Sequence, residues 1–179
     1  MLKMAISADM IKELREMTSC GVIECKKALE ESQGDFNKAK EILQKRGLEI
    51  AAKKANRVAK EGRVESYVHL GNKIGVLLEV NCETDFVAKS DNFIVFCKDV
   101  SMHIAAMSPK YIKREDIPED IAKQQVKLDV FAKDVCLMEQ PFVKDPSKNI
   151  QELLNVLVAS VGENIFIGRF IRYKVGESE

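Results

Sequence analysis

Apolar residues recur at helical spacing in three short groups within the first third of the chain. The groups are Met10, Ile11, Leu14 and Met17; Val22, Cys25, Ala28 and Leu29; and Phe36, Ala39, Ile42 and Leu43. Ser7 and Asp35 precede the first and third groups and are residue types that cap helix N-termini. Gly21 and Gly34 separate the groups, and Gly47 is expected to end the third helix. The pattern predicts a head of three short helices, about 45 residues long and close to the lower size limit for independent folding.

The segment LEIAAKKANRVAKEG, residues 48–62, keeps helical spacing but has a thin apolar stripe and many lysines. We interpret it as a solvated connecting helix that ends at Gly62. Contact with RNA is an alternative for the same lysines.

Beyond Gly62 the apolar residues alternate with polar ones, which is typical of strands. The alternating positions are Val64, Val68 and Leu70, followed by Ile74, Val76, Leu78 and Val80. Gly71 and Asn72 lie between the two runs and form a turn signal, so the sequence predicts a β-hairpin.

The remaining chain predicts helices and one more strand. The predicted elements are a helix from near Ser90 to Pro109, a helix from Pro118 to Val135, a proline-bearing loop over 140–149, a helix ending at Gly162 and a strand over 165–175. His103 is expected in the core. Helices packed on a small antiparallel sheet give an α+β fold. We expect a module with the start of the connecting helix at 1–56, and an α+β core domain at 57–179 with a helical insertion at 118–135.

Both faces of this small sheet are rich in apolar residues. The alternation places Ile167, Ile171, Tyr173 and Val175 on one face and Phe166 and Phe170 on the other. Leu77 likewise points away from Val76 and Leu78. One face can pack on helices and the other needs cover, which predicts a symmetric, non-covalent homodimer. The alternative is a monomer whose second face is covered by the 118–135 helix.

Composition narrows the functional class. The chain has 28 Lys and Arg against 28 Asp and Glu, so its zero net charge argues against a dedicated nucleic-acid binder. The five scattered cysteines fit reduced thiols in a cytoplasmic protein. No apolar run approaches a membrane span, and no catalytic, metal or phosphate-loop signature is present. An interaction protein without cofactor is therefore expected. A small metal-dependent hydrolase using Glu79, Glu83 and Asp85 is an alternative.

One loop is unusual, because an acid and a large aromatic, Asp85 and Phe86, stand where a strand ends. Three segments, LREMTSCGVIECKKALEESQGDFNKAKEIL, KIGVLLEVNCETDFVAKSDNF and QPFVKDPSKNIQELL, resemble the elongation factor Ts family, in the same order along nearly the whole chain. The most specific element is ETDFV, residues 83–87. The family is the guanine-nucleotide exchange factor of the GTPase elongation factor Tu, and its head is similar to a ubiquitin-associated three-helix module.

The resemblance implies functional residues in two places. Thr84, Asp85, Phe86 and Val87 would enter the GTPase beside its nucleotide and disturb its hold on magnesium. The head would dock on the same GTPase domain through Arg15, Val22, Ile23 and Lys26. The family pattern there is Gly-Ala-Gly-Met-Met-Asp-Cys-Lys-Lys, and in this chain Val22 and Ile23 replace the two methionines. With one core subdomain and a short helical insertion, this chain resembles the short form of the family. The homodimer predicted above would then engage two GTPase molecules.

Overall fold

The computed structural model describes residues 6–18 and 20–177 and has the predicted α+β class. The chain divides into two compact units. The first contains the residues up to Val58 together with Asn155–Asn164, and the second contains Ala59–Leu154 and the residues from Ile165 onward.

The elements follow in a simple order along the chain. The helices are α1 (Ala8–Thr18), α2 (Val22–Glu31), α3 (Phe36–Lys54), α4 (Asp85–Ala88), α5 (Asp91–Met107), α6 (Glu119–Lys123), α7 (Leu128–Val135) and α8 (Ile150–Val161). The strands are β1 (Glu61–Val68), β2 (Ile74–Cys82), β3 (Pro141–Phe142), β4 (Asp145–Asn149) and β5 (Phe166–Lys174). None of the helices within the described residues has the length and apolarity that crossing a bilayer requires.

The three predicted helices of the head form, although Met17, which the helical spacing grouped with the apolar residues of the first helix, is exposed. The Ser7 hydroxyl accepts the Met10 N–H at 3.2 Å, and the Asp35 carboxylate accepts the N–H groups of Asn37 and Lys38 at 2.9 and 3.1 Å. These bonds satisfy amides that have no partner within the first turn of a helix. The buried core of the head consists of Leu14, Cys20, Cys25, Ala28, Leu29, Ala39 and Leu43. Phe36 and Ile42 pack against it, as predicted.

The prediction that Gly47 ends the third helix is wrong, because α3 continues to Lys54. A Cβ at Gly47 would lie 3.2 Å from the carbonyl oxygen of Asn155 and 3.3 Å from the Cβ of Ala159. The glycine therefore allows α3 and the second half of α8 to approach closely. Sequence alone does not distinguish this use of glycine from a helix stop.

The connecting helix is also shorter than predicted, and Gly62 does not end it. Residues 55–60 are not helical, and Gly62 lies inside β1 with φ +151°. A Cβ at this position would lie 2.9 Å from the Cα of Asn81 and closer still to the Val80 carbonyl oxygen. Only glycine fits where β1 begins to pair with the end of β2.

The three-stranded antiparallel sheet has the order β1-β2-β5, and the predicted hairpin turn at Gly71 and Asn72 is confirmed. On β2, Val76, Leu78 and Val80 are buried and Leu77 points to the opposite, exposed face, as predicted. That opposite face is called the open face below. It carries the exposed apolar residues Val64, Val68, Leu77, Phe166, Ile171 and Tyr173. No other described element of the second unit covers these side chains.

A β-bulge in β5 changes the predicted faces of two residues. The register shifts so that Glu79 pairs with Arg169 while Val80 pairs with Ile167, which leaves Gly168 as the extra residue. Ile167 is therefore buried, and Phe166 lies on the open face with Ile171. The simple alternation that assigned Ile167 to the face of Ile171 is wrong because it did not allow for the bulge.

The predicted helix over 118–135 is two short helices, α6 and α7, separated by residues 124–127. Their apolar residues form a separate small cluster around Ile117, Ala132 and Cys136. Since Leu77 and Tyr173 remain exposed, the insertion does not cover the open face. The predicted loop over 140–149 contains a short hairpin of β3 and β4.

His103 is a fully buried core histidine, as predicted. Its Nδ1 accepts the Val143 N–H at 3.3 Å, and its Nε2 lies 3.1 Å from the Gln140 Oε1. The neutral ring with a proton on Nε2 satisfies both contacts. Burial lowers the pKa of His103, and the hydrogen bond to Gln140 opposes this shift.

Candidate partner-binding surface

The ETDFV segment forms a single helical turn at the end of β2. Thr84 is the N-cap of α4: its hydroxyl accepts the Val87 N–H at 3.4 Å, and its carbonyl accepts the Ala88 N–H at 3.3 Å. The Ser90 hydroxyl donates to the Val87 carbonyl at 2.8 Å and the Ser90 N–H also bonds to it, which closes the turn before α5 begins. The local hydrogen bonds therefore fix the backbone where the sequence predicted only a loop.

This turn buries one side and exposes the other. Val87 and Ala88 are buried, whereas the Phe86 side chain is 80 % exposed and Asp85 is also exposed. A phenylalanine exposed to this extent is unusual because burial of such a ring is favourable. The turn holds Phe86 outward, whereas Val87, which the resemblance also assigns to the contact with the GTPase, is buried and anchors the turn.

Lys89 is a neighbour that the sequence analysis did not single out. Its Nζ lies 2.7 Å from the Asp85 Oδ2, one helical turn away. The hydrogen bond from Lys89 and its charge lower the pKa of Asp85, and the same contact raises the pKa of Lys89. The spacing of an acid and a lysine at i and i+4 was a signal that could have found the pair.

The head presents a second exposed surface. Val22 and Ile23, in the first turn of α2, are 53 % and 69 % exposed. Lys26 lies on the same side of α2, and its Nζ is 3.9 Å from the Glu30 Oε1. Arg15 on α1 is also exposed. All four residues that the resemblance assigns to docking are thus accessible in this unit. Val22, which the helical spacing grouped with the core residues of α2, is not buried.

Comparison with known proteins shows a consistent match. The family model for elongation factor Ts matches residues 4–130 and 124–177. Elongation factor Ts of Thermodesulfovibrio yellowstonii is 49 % identical over 198 residues, covering 98 % of this chain and 99 % of that protein. The same factor from Thermotoga neapolitana is 47 % identical over 195 residues, covering 97 % and 99 %. The chain belongs to the elongation factor Ts family. It is therefore a translation elongation factor, and the resemblance noted in the sequence is confirmed.

Within the described part of this elongation factor Ts chain, the acidic residues around the α4 turn, such as Glu79 and Asp85, do not form a metal site. Glu79 receives a 2.7 Å hydrogen bond from the Arg169 Nε, which is the main cause of its lowered pKa, and Asn81 also donates to it. Asp85 is paired with Lys89. Carboxylates already engaged by cationic groups are poor candidates for binding a divalent cation, so the hydrolase alternative gains no support.

The five cysteines of this family member are all buried, and none of them forms a disulfide bond. Burial raises the pKa of Cys97 to about 12, and the pKa values of Cys20, Cys25 and Cys136 are raised for the same reason. A thiol with a raised pKa is a weak nucleophile near neutral pH. Cys20, Cys25, Cys97 and Cys136 are therefore expected to behave as small apolar residues of the core.

Proposed function

We propose that this protein promotes the release of GDP from elongation factor Tu, so that GTP can bind. The observation that carries the proposal is the exposed Phe86, held outward on a turn whose sequence is the most specific element shared with the family. The proposed activity needs no catalytic group or cofactor in this chain, since binding alone changes the affinity of the GTPase for its nucleotide.

In the proposed mechanism, α4 docks beside the nucleotide site of the GTPase. Phe86 enters an apolar pocket between two helices of the partner, and Asp85 fixes the approach beside it. Movement of these helices weakens the partner's contacts with magnesium and the β-phosphate. Because a divalent cation supplies much of the attraction for a diphosphate, its displacement loosens GDP without any contact to the base.

The head provides the second contact in this proposal. Val22 and Ile23 supply an apolar patch, and Lys26 and Arg15 supply charge beside it. Docking of the head raises the local concentration of α4 at the nucleotide site, as in other two-point binding. We place this action in the cytoplasm, where reduced, buried cysteines persist.

Release of labelled GDP tests the proposed function directly. Elongation factor Tu carrying a fluorescent GDP is mixed with excess unlabelled GDP and increasing amounts of this protein. We expect the release rate to rise and then saturate. A release rate that stays at its intrinsic value at every concentration would overturn the proposal.

We further propose that two copies associate through the open face to form a homodimer that binds two GTPase molecules. Leu77 of β2 lies opposite Ile171 of β5, and both are exposed, with Tyr173 and Val68 beside them. A second copy supplies the same apolar surface, so a two-fold axis allows the two sheets to cover each other. A contiguous apolar patch is unfavourable in water, and the dimer contact removes this face from water.

Light scattering across a concentration series tests the assembly. We expect a mass of twice 20.2 kDa for the wild-type protein. Leu77→Glu should reduce the mass to that of one chain, because it places a charge in the apolar contact. Val126→Glu is a matched control, since Val126 is exposed and lies between α6 and α7 rather than on a strand of the sheet. A mass near 20.2 kDa for the wild type at all micromolar concentrations would refute the dimer.

A further inference from the structure

Besides the buried Val87 and Ala88, a side chain of the preceding strand, Cys82, holds the turn that presents Phe86. Cys82 is the last residue of β2, where it pairs with Glu61, and it has no exposed surface. Its thiol lies 3.1 Å from the carbonyl oxygen of Thr84 and is oriented to donate to it. The thiol thus reaches around the end of the strand to the residue that caps α4.

Thr84 is held by bonds on two of its polar groups. Its carbonyl accepts the Cys82 thiol and the Ala88 N–H, and its hydroxyl accepts the Val87 N–H. The orientation of the Thr84 peptide therefore determines the direction in which the α4 turn leaves the sheet.

We propose that Cys82 is a positioning residue for Phe86: its thiol fixes the Thr84 carbonyl and thereby the angle at which α4 presents the ring. This inference rests on the proposed exchange function, which it deepens. Phe86 has few contacts of its own in the free protein, since most of its surface is exposed. Its position consequently depends on the backbone of the turn rather than on packing of the ring.

The fold offers a matched control for the loss of a buried sulfur. Cys97 in α5 is also fully buried, and α5 packs against β2, the strand that ends at Cys82. Cys97→Ala removes a similar volume without touching the Thr84 carbonyl. Cys82→Ala removes both volume and donor, whereas Cys82→Ser keeps a donor.

The first measurement is amide hydrogen exchange at Val87 and Ala88, which needs no partner protein. We expect Cys82→Ala to speed exchange of both amides by about five-fold, the effect of losing one modest hydrogen bond, relative to Cys97→Ala. Cys82→Ser should restore most of the protection. Equal exchange at these amides in Cys82→Ala and Cys97→Ala would overturn the positioning role.

The second measurement is stimulated GDP release over a range of concentrations. We expect Cys82→Ala to lower the maximal rate by roughly five-fold while the half-saturating concentration, set largely by the head, changes less than two-fold. Cys97→Ala should keep the maximal rate, and Cys82→Ser should recover it. If wild type stimulates release and Cys82→Ala matches Cys97→Ala, the positioning role is refuted. If wild type does not stimulate release, the proposed function fails, and amide exchange still decides the role of Cys82 in the turn.

Discussion

The substitution Phe86→Ala tests whether Phe86 is a contact residue for a partner or a residue of the protein's own core. The ring is 80 % exposed, so about one fifth of its surface contributes to folding. Full burial of a phenylalanine is worth roughly 1.5–3 kcal/mol, and one fifth of that is about 0.3–0.6 kcal/mol. For a protein of this size each kcal/mol shifts the melting temperature by about 2–4 °C. We therefore expect Phe86→Ala to lower the melting temperature by no more than about 2 °C.

The effect on GDP release should be much larger. If docking buries the remaining four fifths of the ring, the lost stabilisation is about 1.2–2.4 kcal/mol. Where this burial occurs in the step that loosens GDP, the stimulated rate falls by about 8- to 60-fold. The assay is release of labelled GDP at a fixed concentration of correctly folded protein, with the melting temperature measured on the same preparation.

Phe93→Ala is the matched control, because Phe93 is fully buried in α5. Removing a buried ring costs about 3–5 kcal/mol, so this variant should melt roughly 6–20 °C lower. The reasoning is refuted if Phe86→Ala melts as early as Phe93→Ala while its stimulated release per folded molecule equals that of the wild type.

Three further predictions concern the sheet, the buried histidine and the head. Gly62→Ala should lower the free energy of unfolding in urea by about 3–5 kcal/mol, because it strains the backbone and clashes with β2. Gly75→Ala is the control and should be nearly neutral, since a Cβ there meets nothing within 4 Å. Equal urea midpoints for the two variants would contradict this prediction. Because the pKa of His103 is lowered in the folded protein, the unfolded chain binds more protons than the folded one below about pH 6.5. The free energy of unfolding should therefore fall as the pH drops below this value, by at most about 1.4 kcal/mol per pH unit. His103→Gln should lose this pH dependence. Val22→Ser with Ile23→Ser should raise the half-saturating concentration about ten-fold without changing the maximal rate, whereas Val130→Ser, at an exposed position of α7, should change neither. An unchanged half-saturating concentration in the double variant would mean that the head does not dock through these residues.

Regular periodicity made most of the fold predictable. The helices of the head, the first hairpin and the terminal strand all follow from apolar spacing of 3.6 or 2 together with capping residues. Glycine was the main source of error. Gly47 and Gly62 were interpreted as helix ends, but both permit close approach of a distant backbone. Such an approach is a tertiary contact, and nothing local in the sequence distinguishes it from a stop.

The bulge at Gly168 and the broken insertion were missed for a related reason. A bulge changes the alternation by one residue, and its position depends on the partner strand. The apolar spacing of residues 118–135 likewise does not reveal that the helix breaks between α6 and α7, whose apolar residues pack around Ile117 and Cys136.

The candidate site was only partly predictable. The juxtaposition of Asp85 and Phe86 after a strand was visible, as was the i, i+4 spacing of Asp85 and Lys89. The contact of the Cys82 thiol with the Thr84 carbonyl was not, since it depends on the backbone path at the end of β2. Residue identity therefore located the turn, and only the structure showed what holds it in place.

The energetics of one exposed ring limit what α4 can do alone. Each ten-fold increase in GDP release requires about 1.4 kcal/mol of coupling, so burial of Phe86 supplies at most about two orders of magnitude. A larger acceleration needs further contacts, which the proposed function assigns to Asp85 and the head. Coupling is reciprocal, so GDP must weaken the binding of this protein to the GTPase by the same factor by which this protein weakens GDP binding. A Phe86→Ala variant should therefore bind GDP-loaded and nucleotide-free elongation factor Tu with more similar affinities than the wild type does. That convergence, rather than a uniform loss of affinity, is what distinguishes a ring that drives exchange from one that merely adds to binding.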